Sequence, residues 1–583
     1  MIKIRCFNTV RWVVFLLCLV SSQRSVQAQT LSQIQQTTQI PTVPQAPQIP
    51  ATLPTKKKPL NLPQYQATEI PKQRYSPARA RVTKFIFQGN TVFSQRQLEA
   101  VVAAYMGREI TFAQLLQARS AITKYYAERG YITSGALVPL KGNQLIRQAD
   151  GGLVVTIVIV EGKLEKINLS GSDRLHNYVH SRLKAATSPV LNTNHLLEAL
   201  RLLQTDPLIE AISANLDAGS KVGGTILNVR VKAQQAFRVE AALDNERSPT
   251  IGTSQQRIQM SHANLLGLGD RLSLGYRHTK GSDAIETSYL VPINSHNGTI
   301  ELGYTNISSD IVECPFNQLD IISDARAIEL TFRQPIVRQA TAKATKEFAL
   351  GLSAARLESE SYLLGTPFPL SRGADERGRT KISAIRFFQE WNKRSGTEVF
   401  LARSQFSLGI GTFDATINNS DPDSRFLAWR GQTAWLRRLG ENTLLIRADL
   451  QLADRPFVPL EQFGLGGATT VRGYRQDALV SDNGFLASAE LRISVWKGEA
   501  GELQVIPFVD VGTTWNNNGA EDNLTEPETG TLLSVGLGLQ YQLSDRFSAR
   551  LDWGIPLVPI NTNSSSDSWQ EEGLHFGVRY QLF

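Results

Sequence analysis

The stretch Thr443-Leu-Leu-Ile-Arg-Ala-Asp-Leu-Gln-Leu452 alternates with a period of two. Leu444, Ile446, Ala448, Leu450 and Leu452 are apolar, while the positions between them include Arg447, Asp449 and Gln451. Successive side chains of a β-strand point to opposite faces, so this strand has one apolar face and one charged face. Three later segments repeat the pattern. Ala489, Leu491, Ile493 and Val495 oppose Glu490 and Arg492; Ala549, Leu551 and Trp553 oppose Ser548, Arg550 and Asp552. Val535, Leu537, Leu539 and Tyr541 alternate with Ser534, Gly536, Gly538 and Gln540. A water-soluble sandwich also alternates, so the number of such segments and their charged faces decide the reading. Apolar faces toward lipid and charged faces toward a hydrated lumen account for all four. The alternation starts near Phe237, and residues 236–583 suffice for about 16 antiparallel strands of a transmembrane β-barrel. A barrel of that size leaves an aqueous channel.

The chain opens with Lys3, Arg5 and Arg11, an apolar run from Trp12 to Val20, and the small-residue site Val26-Gln27-Ala28. That order predicts a secretory signal peptide over residues 1–28, its apolar core too short to span a bilayer. The formal charge of +8 is unevenly spread. The signal segment holds four basic residues and no acidic one, and residues 29–80 hold six basic and one acidic, which leaves −1 for the rest. A nucleic-acid partner is not expected, because such a binder concentrates positive charge on its folded part. Cys6 and Cys18 leave with the signal, so Cys314 stands alone and an internal disulfide is excluded.

Residues 29–80 contain nine of the 25 prolines, many glutamines and the run Lys56-Lys57-Lys58. They read as a linker that cannot bury enough apolar surface to order itself, with a short helix possible only over residues 31–39. An internal repeat follows. Lys84-Phe-Ile-Phe-Gln-Gly89-Asn90 recurs as Lys166-Ile-Asn-Leu-Ser-Gly171-Ser172, each a short strand ended by a glycine turn. In the first unit Phe112, Leu115, Leu116, Ala118, Ile122 and Tyr126 trace a helical stripe closed by Gly130, and strands follow from Ile132 and from Leu153. In the second, Leu196, Leu197, Leu200 and Leu203 mark a helix, with strands near 209–216 and 225–231. Each unit is expected to be α+β, in the order β-α-α-β-β.

Tyr126-Ala-Glu-Arg-Gly130-Tyr131 resembles the helix-to-strand corner of POTRA domains, the periplasmic modules of outer-membrane protein transporters. The run from His195 to Pro207 resembles the second such unit of two-partner secretion transporters. Asp244-Asn245, Thr250-Ile-Gly252 and Asn264-Leu-Leu-Gly-Leu-Gly-Asp270 resemble the first hairpins of the FhaC/ShlB/HecB family (TpsB), within the BamA-like superfamily. The resemblance covers residues 81–583. It implies POTRA domains over 81–163 and 164–235, an outer-membrane barrel over 236–583, and export of one dedicated partner of haemolysin or adhesin type. That partner would be an unfolded, β-helical exoprotein (TpsA-like), and the transporter a monomer without a cofactor. An assembly factor that inserts other barrels is the alternative.

Val471-Arg472-Gly473-Tyr474 lies in a glycine-rich stretch, and Phe508-Val-Asp510-Val-Gly512 follows downstream. Phe508, Asp510 and Gly512 share one strand face, opposite Val505, Val509 and Val511, so Asp510 is expected to point into the lumen. On these residues alone an external loop without a partner stays open. The resemblance implies instead that the loop folds inward and that Arg472 pairs with Asp510, a contact worth about 1.5–3 kcal/mol where partly shielded. Enzymatic readings find little support. Gly464-Leu-Gly-Gly467 lacks the Lys-Ser/Thr of a phosphate loop, and His176 and His180 have helical metal spacing but no following Glu and no third ligand. The aromatic terminus Phe583 resembles an outer-membrane assembly signal, although it breaks the phase of Phe576, Val578, Tyr580 and Leu582.

Overall fold

The computed structural model describes residues 53, 60, 79–139, 145–149, 151–517, 530–544, 546–560 and 568–583. The expected signal peptide and nearly all of the 29–80 segment, including its possible helix over 31–39, lie outside the described residues. The chain forms two compact units that divide near residue 235.

The N-terminal unit contains two α+β halves. In the first, β1 (Arg79–Gln88) runs parallel to β5 (Leu153–Val160), with β2 (Glu109–Thr111), β3 (Gly135–Leu137) and β4 (Leu145–Arg147) at the margins. Two helices, α1 (Gln95–Val102) and α2 (Phe112–Glu128), each start with a capping box: Ser94 with Gln97, and Thr111 with Gln114. Leu115, Ala118, Ile122 and Tyr126 of α2 are buried against Phe85, Val155 and Ile157. Gly130 ends the helix at φ +91°, the conformation that favours glycine. The next strand begins at Gly135 rather than Ile132, because the Tyr131 and Ser134 amides close turns onto Tyr126 and Tyr131. The short strands β2 and β4 are additions to the expected plan.

The second half has the expected order: β6 (Lys163–Ser170), α3 (His176–Thr187), α4 (Thr193–Gln204), β7 (Ile209–Ala218) and β8 (Gly224–Ala233). Its sheet runs β6-β8-β7, which leaves β6 and β7 as edges. Polar contacts join the halves: Thr193 Oγ1 donates to the Gly130 carbonyl at 2.9 Å, and Asn192 Nδ2 donates to the Arg129 carbonyl at 3.0 Å. Glu161, at the junction, accepts from the Thr91 and Val92 amides at 2.8 Å and from the Tyr126 hydroxyl at 3.0 Å. Burial opposes its ionisation, but the hydrogen bonds from Thr91, Val92 and Tyr126 win and hold it below the usual carboxylate range.

The C-terminal unit is a closed antiparallel barrel of 16 strands, from Phe237–Asp244 to Leu574–Gln581, with a short extra strand at Thr366–Pro367. First and last strands close it over the register Gly577↔Asp244 to Gln581↔Glu240. Strand parity works as the sequence pattern requires. On the strand Phe547–Pro556, Leu551 and Trp553 are 44% and 53% exposed on the outside, and Asp552 is buried on the inside. On Asn442–Ala453, Asp449 and Gln451 are buried inside and Leu452 is exposed. A soluble domain puts such leucines in its core; here lipid takes that place. The last strand ends at Gln581, so Phe583 lies beyond the strand phase, its ring 6.5 Å from that of Phe237.

Candidate functional site

Between the strands Asn442–Ala453 and Asn483–Gly498, residues 454–482 turn back into the lumen. Two short strands, Phe463–Leu465 and Leu479–Ser481, pair antiparallel and form the stem of this loop. Gly466 and Gly467, at φ +107° and +95°, turn the chain into its tip. Val471, Tyr474, Ala478 and Leu479 join Phe463 and Leu465 in a buried apolar cluster that reaches Leu486 and Leu532 on the wall. The tip therefore carries its own small core.

Arg472 projects from that tip and is 1% exposed. Its Nε donates to Asp510 Oδ2 at 2.7 Å and its Nη2 to Asp510 Oδ1 at 2.8 Å, a bidentate fork on the strand Gly501–Trp515. The Arg472 amide also donates to Asp510 Oδ2, at 3.2 Å. The guanidinium has further anionic neighbours: Nη1 lies 3.1 Å from Glu490 Oε2 and 3.6 Å from Asp552 Oδ1. Ser488 Oγ donates to Asp510 Oδ1 at 2.6 Å. Arg492 binds Glu490 at 2.7 Å, and Arg550 bridges Glu490 and Asp552 at 2.9 and 2.6 Å. Three guanidinium groups thus face three carboxylates.

The three named positions of the downstream motif each touch the loop in a different way. The Phe508 ring lies under Arg472, whose Cζ is 3.5 Å from the ring centroid, a cation–π contact. Asp510 carries the fork. At Gly512 an added Cβ would come within 2.7 Å of Leu465 Cδ1, so the missing side chain makes room for the stem. Gly473, at φ +92°, donates its amide to His575 Nε2 at 3.1 Å and lies against the backbone of Gly554. A Cβ on Gly554 would sit 2.6 Å from the Gly473 nitrogen, and one on Gly573 would sit 2.1 Å from the Gly554 carbonyl oxygen. The Tyr474 hydroxyl lies 2.9 Å from the Leu533 carbonyl oxygen and 2.8 Å from that of Val558. Arg475 meets Glu313 at 2.9 Å.

A single pair of 1.5–3 kcal/mol is therefore too small a description. Removing Arg472 would leave Asp510 buried without its cation, while Glu490 keeps Arg492 and Arg550, a loss of about 3–5 kcal/mol. Motif resemblance and strand parity point to Arg472 and Asp510 as partners but not to Glu490, Asp552, Arg492 or Arg550. Parity already put those four on the polar faces of their strands; the cross-strand register that gathers them was missing. Elsewhere, the His176 and His180 rings stack at 6.0 Å on α3, and among the described residues no cluster of three or more His, Cys, Asp or Glu could hold a metal. On another part of the wall Leu53 packs with the inward-facing Val399, Leu401, Leu436 and Leu445. This brings one residue of the 29–80 segment into the barrel.

Residues 223–541 match the family model of the haemolysin secretion/activation proteins ShlB/FhaC/HecB. The chain belongs to that family. Residues 80–162 match the POTRA domain of ShlB type. The chain is 22% identical to the outer membrane transporter CdiB of Dickeya dadantii, over 74% of this chain and 75% of that one. It is also 22% identical to the heme/hemopexin transporter protein HuxB of Haemophilus influenzae, over 81% and 82%. Its fold is that of CdiB from Escherichia coli, with TM-score 0.63, 18% identity and coverage of 89% and 94%. CdiB from Acinetobacter baumannii aligns at TM-score 0.59 over 96% and 97%. This family member is an outer-membrane transporter whose N-terminal POTRA region sits in the periplasm. Its family pairs with secreted exoproteins.

Proposed function

We propose that this transporter exports one dedicated β-helical exoprotein through a lumen gated by the loop around Arg472. The cage of Arg472, Asp510, Glu490 and Asp552 carries this reading, because a passive pore has no use for a buried ionic lock on its own loop. Val471, Gly473 and Tyr474 seat the loop tip. Phe508 and Gly512 shape the wall that receives it. The working division is a signal peptide over 1–28, a linker over 29–80, POTRA domains over 81–163 and 164–235, and the barrel from 236. The unfolded partner is caught in the periplasm by addition of a strand to an open edge such as β7. It then enters the lumen as the loop yields, and folding outside supplies the direction. The transporter works as a monomer and performs no catalysis.

Deleting residues 81–235 is the direct test. One large protein should vanish from the culture medium while the envelope keeps its other barrels. General loss of outer-membrane proteins would point to the assembly factor instead, and unchanged export would end the proposal.

A further inference from the structure

The lumenal loop makes a second contact that the Arg472 motif does not touch. Upstream of the tip, Phe457, Val458 and Leu460 are each at most 2% exposed and pack in one cluster with Leu357, Ile382, Ala384, Phe426 and Ala428. These wall residues lie on the inward faces of the strands Ala344–Leu363, Arg379–Ser395 and Phe426–Leu439. The Phe457 and Phe426 rings meet edge-on, centroids 5.0 Å apart. An apolar seat inside a channel is unusual, since the inner face of a conducting barrel is ordinarily polar.

The seat ends in a cation. Arg386 shares the inward face of Ile382 and Ala384, is 2% exposed, and donates from Nη2 to Glu461 Oε1 at 2.6 Å. Its Nε and Nη1 have no hydrogen-bond partner among the described residues. The arm's ends are tied as well: the Phe457 amide donates to Asp482 Oδ1 at 2.8 Å, and Gln451 Nε2 donates to the Glu461 carbonyl at 2.9 Å. The wall thus recognises a short segment, closed by the 3-10 turn Pro459–Glu461, whose apolar side chains Phe457, Val458 and Leu460 lead up to the carboxylate of Glu461. A guanidinium with spare donors can take a carboxylate as a two-pronged fork.

We propose that this seat is a subsite of the export path, selective for an apolar segment that ends in an acidic residue. Residues 457–461 occupy it as a tethered stand-in until such a segment of the travelling chain displaces them. The proposal rests on the export reading above.

The test uses full-length transporter in planar lipid bilayers. Glu461→Lys sets a cation against Arg386 and should expel the arm, which raises open-channel occupancy by about tenfold or more. The free peptide Phe-Val-Pro-Leu-Glu-Gln, the sequence of residues 457–462, should then lower the current in a saturable way. The same peptide with Gln in place of Glu should bind at least about tenfold more weakly, as should the original peptide on channels that also carry Arg386→Met. If Glu461→Lys fails to assemble, Phe457→Ala with Glu461→Gln serves as the release variant. A peptide without effect on released channels, or equal block by both peptides, overturns the proposal. No exoprotein enters this experiment, so its failure leaves the export reading standing. Normal export after loss of the POTRA region would sink that reading without touching the bilayer result.

Discussion

At its tip the lumenal loop meets the wall through a guanidinium that touches three carboxylates, whereas its upstream arm meets the wall mainly through Phe457, Val458 and Leu460. The two contacts fail in different ways. A buried charge cluster tolerates no missing partner, because each survivor is left in a poorly solvated place. An apolar contact loses stability in proportion to the volume removed, and its neighbours can partly close the gap. A loop held by both resists random opening, yet each contact can be released by its own chemistry.

The largest expected effect breaks the tip. Arg472→Ala should shift the loop toward the open form by about 3–5 kcal/mol, a hundredfold or more in open occupancy of bilayer channels. Arg472→Lys should recover only part of this, since an ammonium cannot make the fork on Asp510. If alanine and arginine channels open equally often, the cage does not hold the loop. Phe457→Ala should cost about 3 kcal/mol by the same readout. Combined with Arg472→Ala it should add to within about 0.5 kcal/mol, and strong coupling would mean that tip and arm form one lock.

Smaller changes sharpen the contrast. Gly554→Ala puts a methyl group 2.6 Å from the Gly473 nitrogen and should cost the seated tip about 1–3 kcal/mol. Cysteine labelling at position 469 should then speed up with no change at position 460. The smallest effect lies outside the barrel. Glu161 has a depressed folded pKa, so its stabilising contribution is complete above the ordinary carboxylate value and disappears as pH falls through the lowered one. Thermal melts of the N-terminal unit should show a loss below about 1 kcal/mol on acidification, absent in Glu161→Gln. An acid-independent melt of the unchanged protein would remove Glu161 from this role.

Alternation in Thr443–Leu452 and its counterparts was enough to place lipid and lumen faces, because a two-residue period is a local property. Repeated strand-and-glycine signatures likewise marked the α+β halves. Arg472 and Asp510 were reachable through motif resemblance and parity. Glu490 and Asp552 were not, since they join the cage only through barrel register and an inward loop. The seat around Ala384 was illegible for a related reason: its alanines come from distant strands and carry no local signal. At Ile132 the strand signal was real, but hydrogen bonds from the preceding glycine corner delay pairing until Gly135.

The glycine contact at the tip also bears on how the loop could leave. Where side chains interlock, withdrawal must wait for rotamer changes in a dense wall. Gly473 rests on Gly554 as main chain on main chain, with Gly573 alongside, and the His575 side chain holds it through a hydrogen bond from the Gly473 amide rather than by interlocking. In mechanical terms this is a bearing: once the charges let go, little friction opposes sliding at that point.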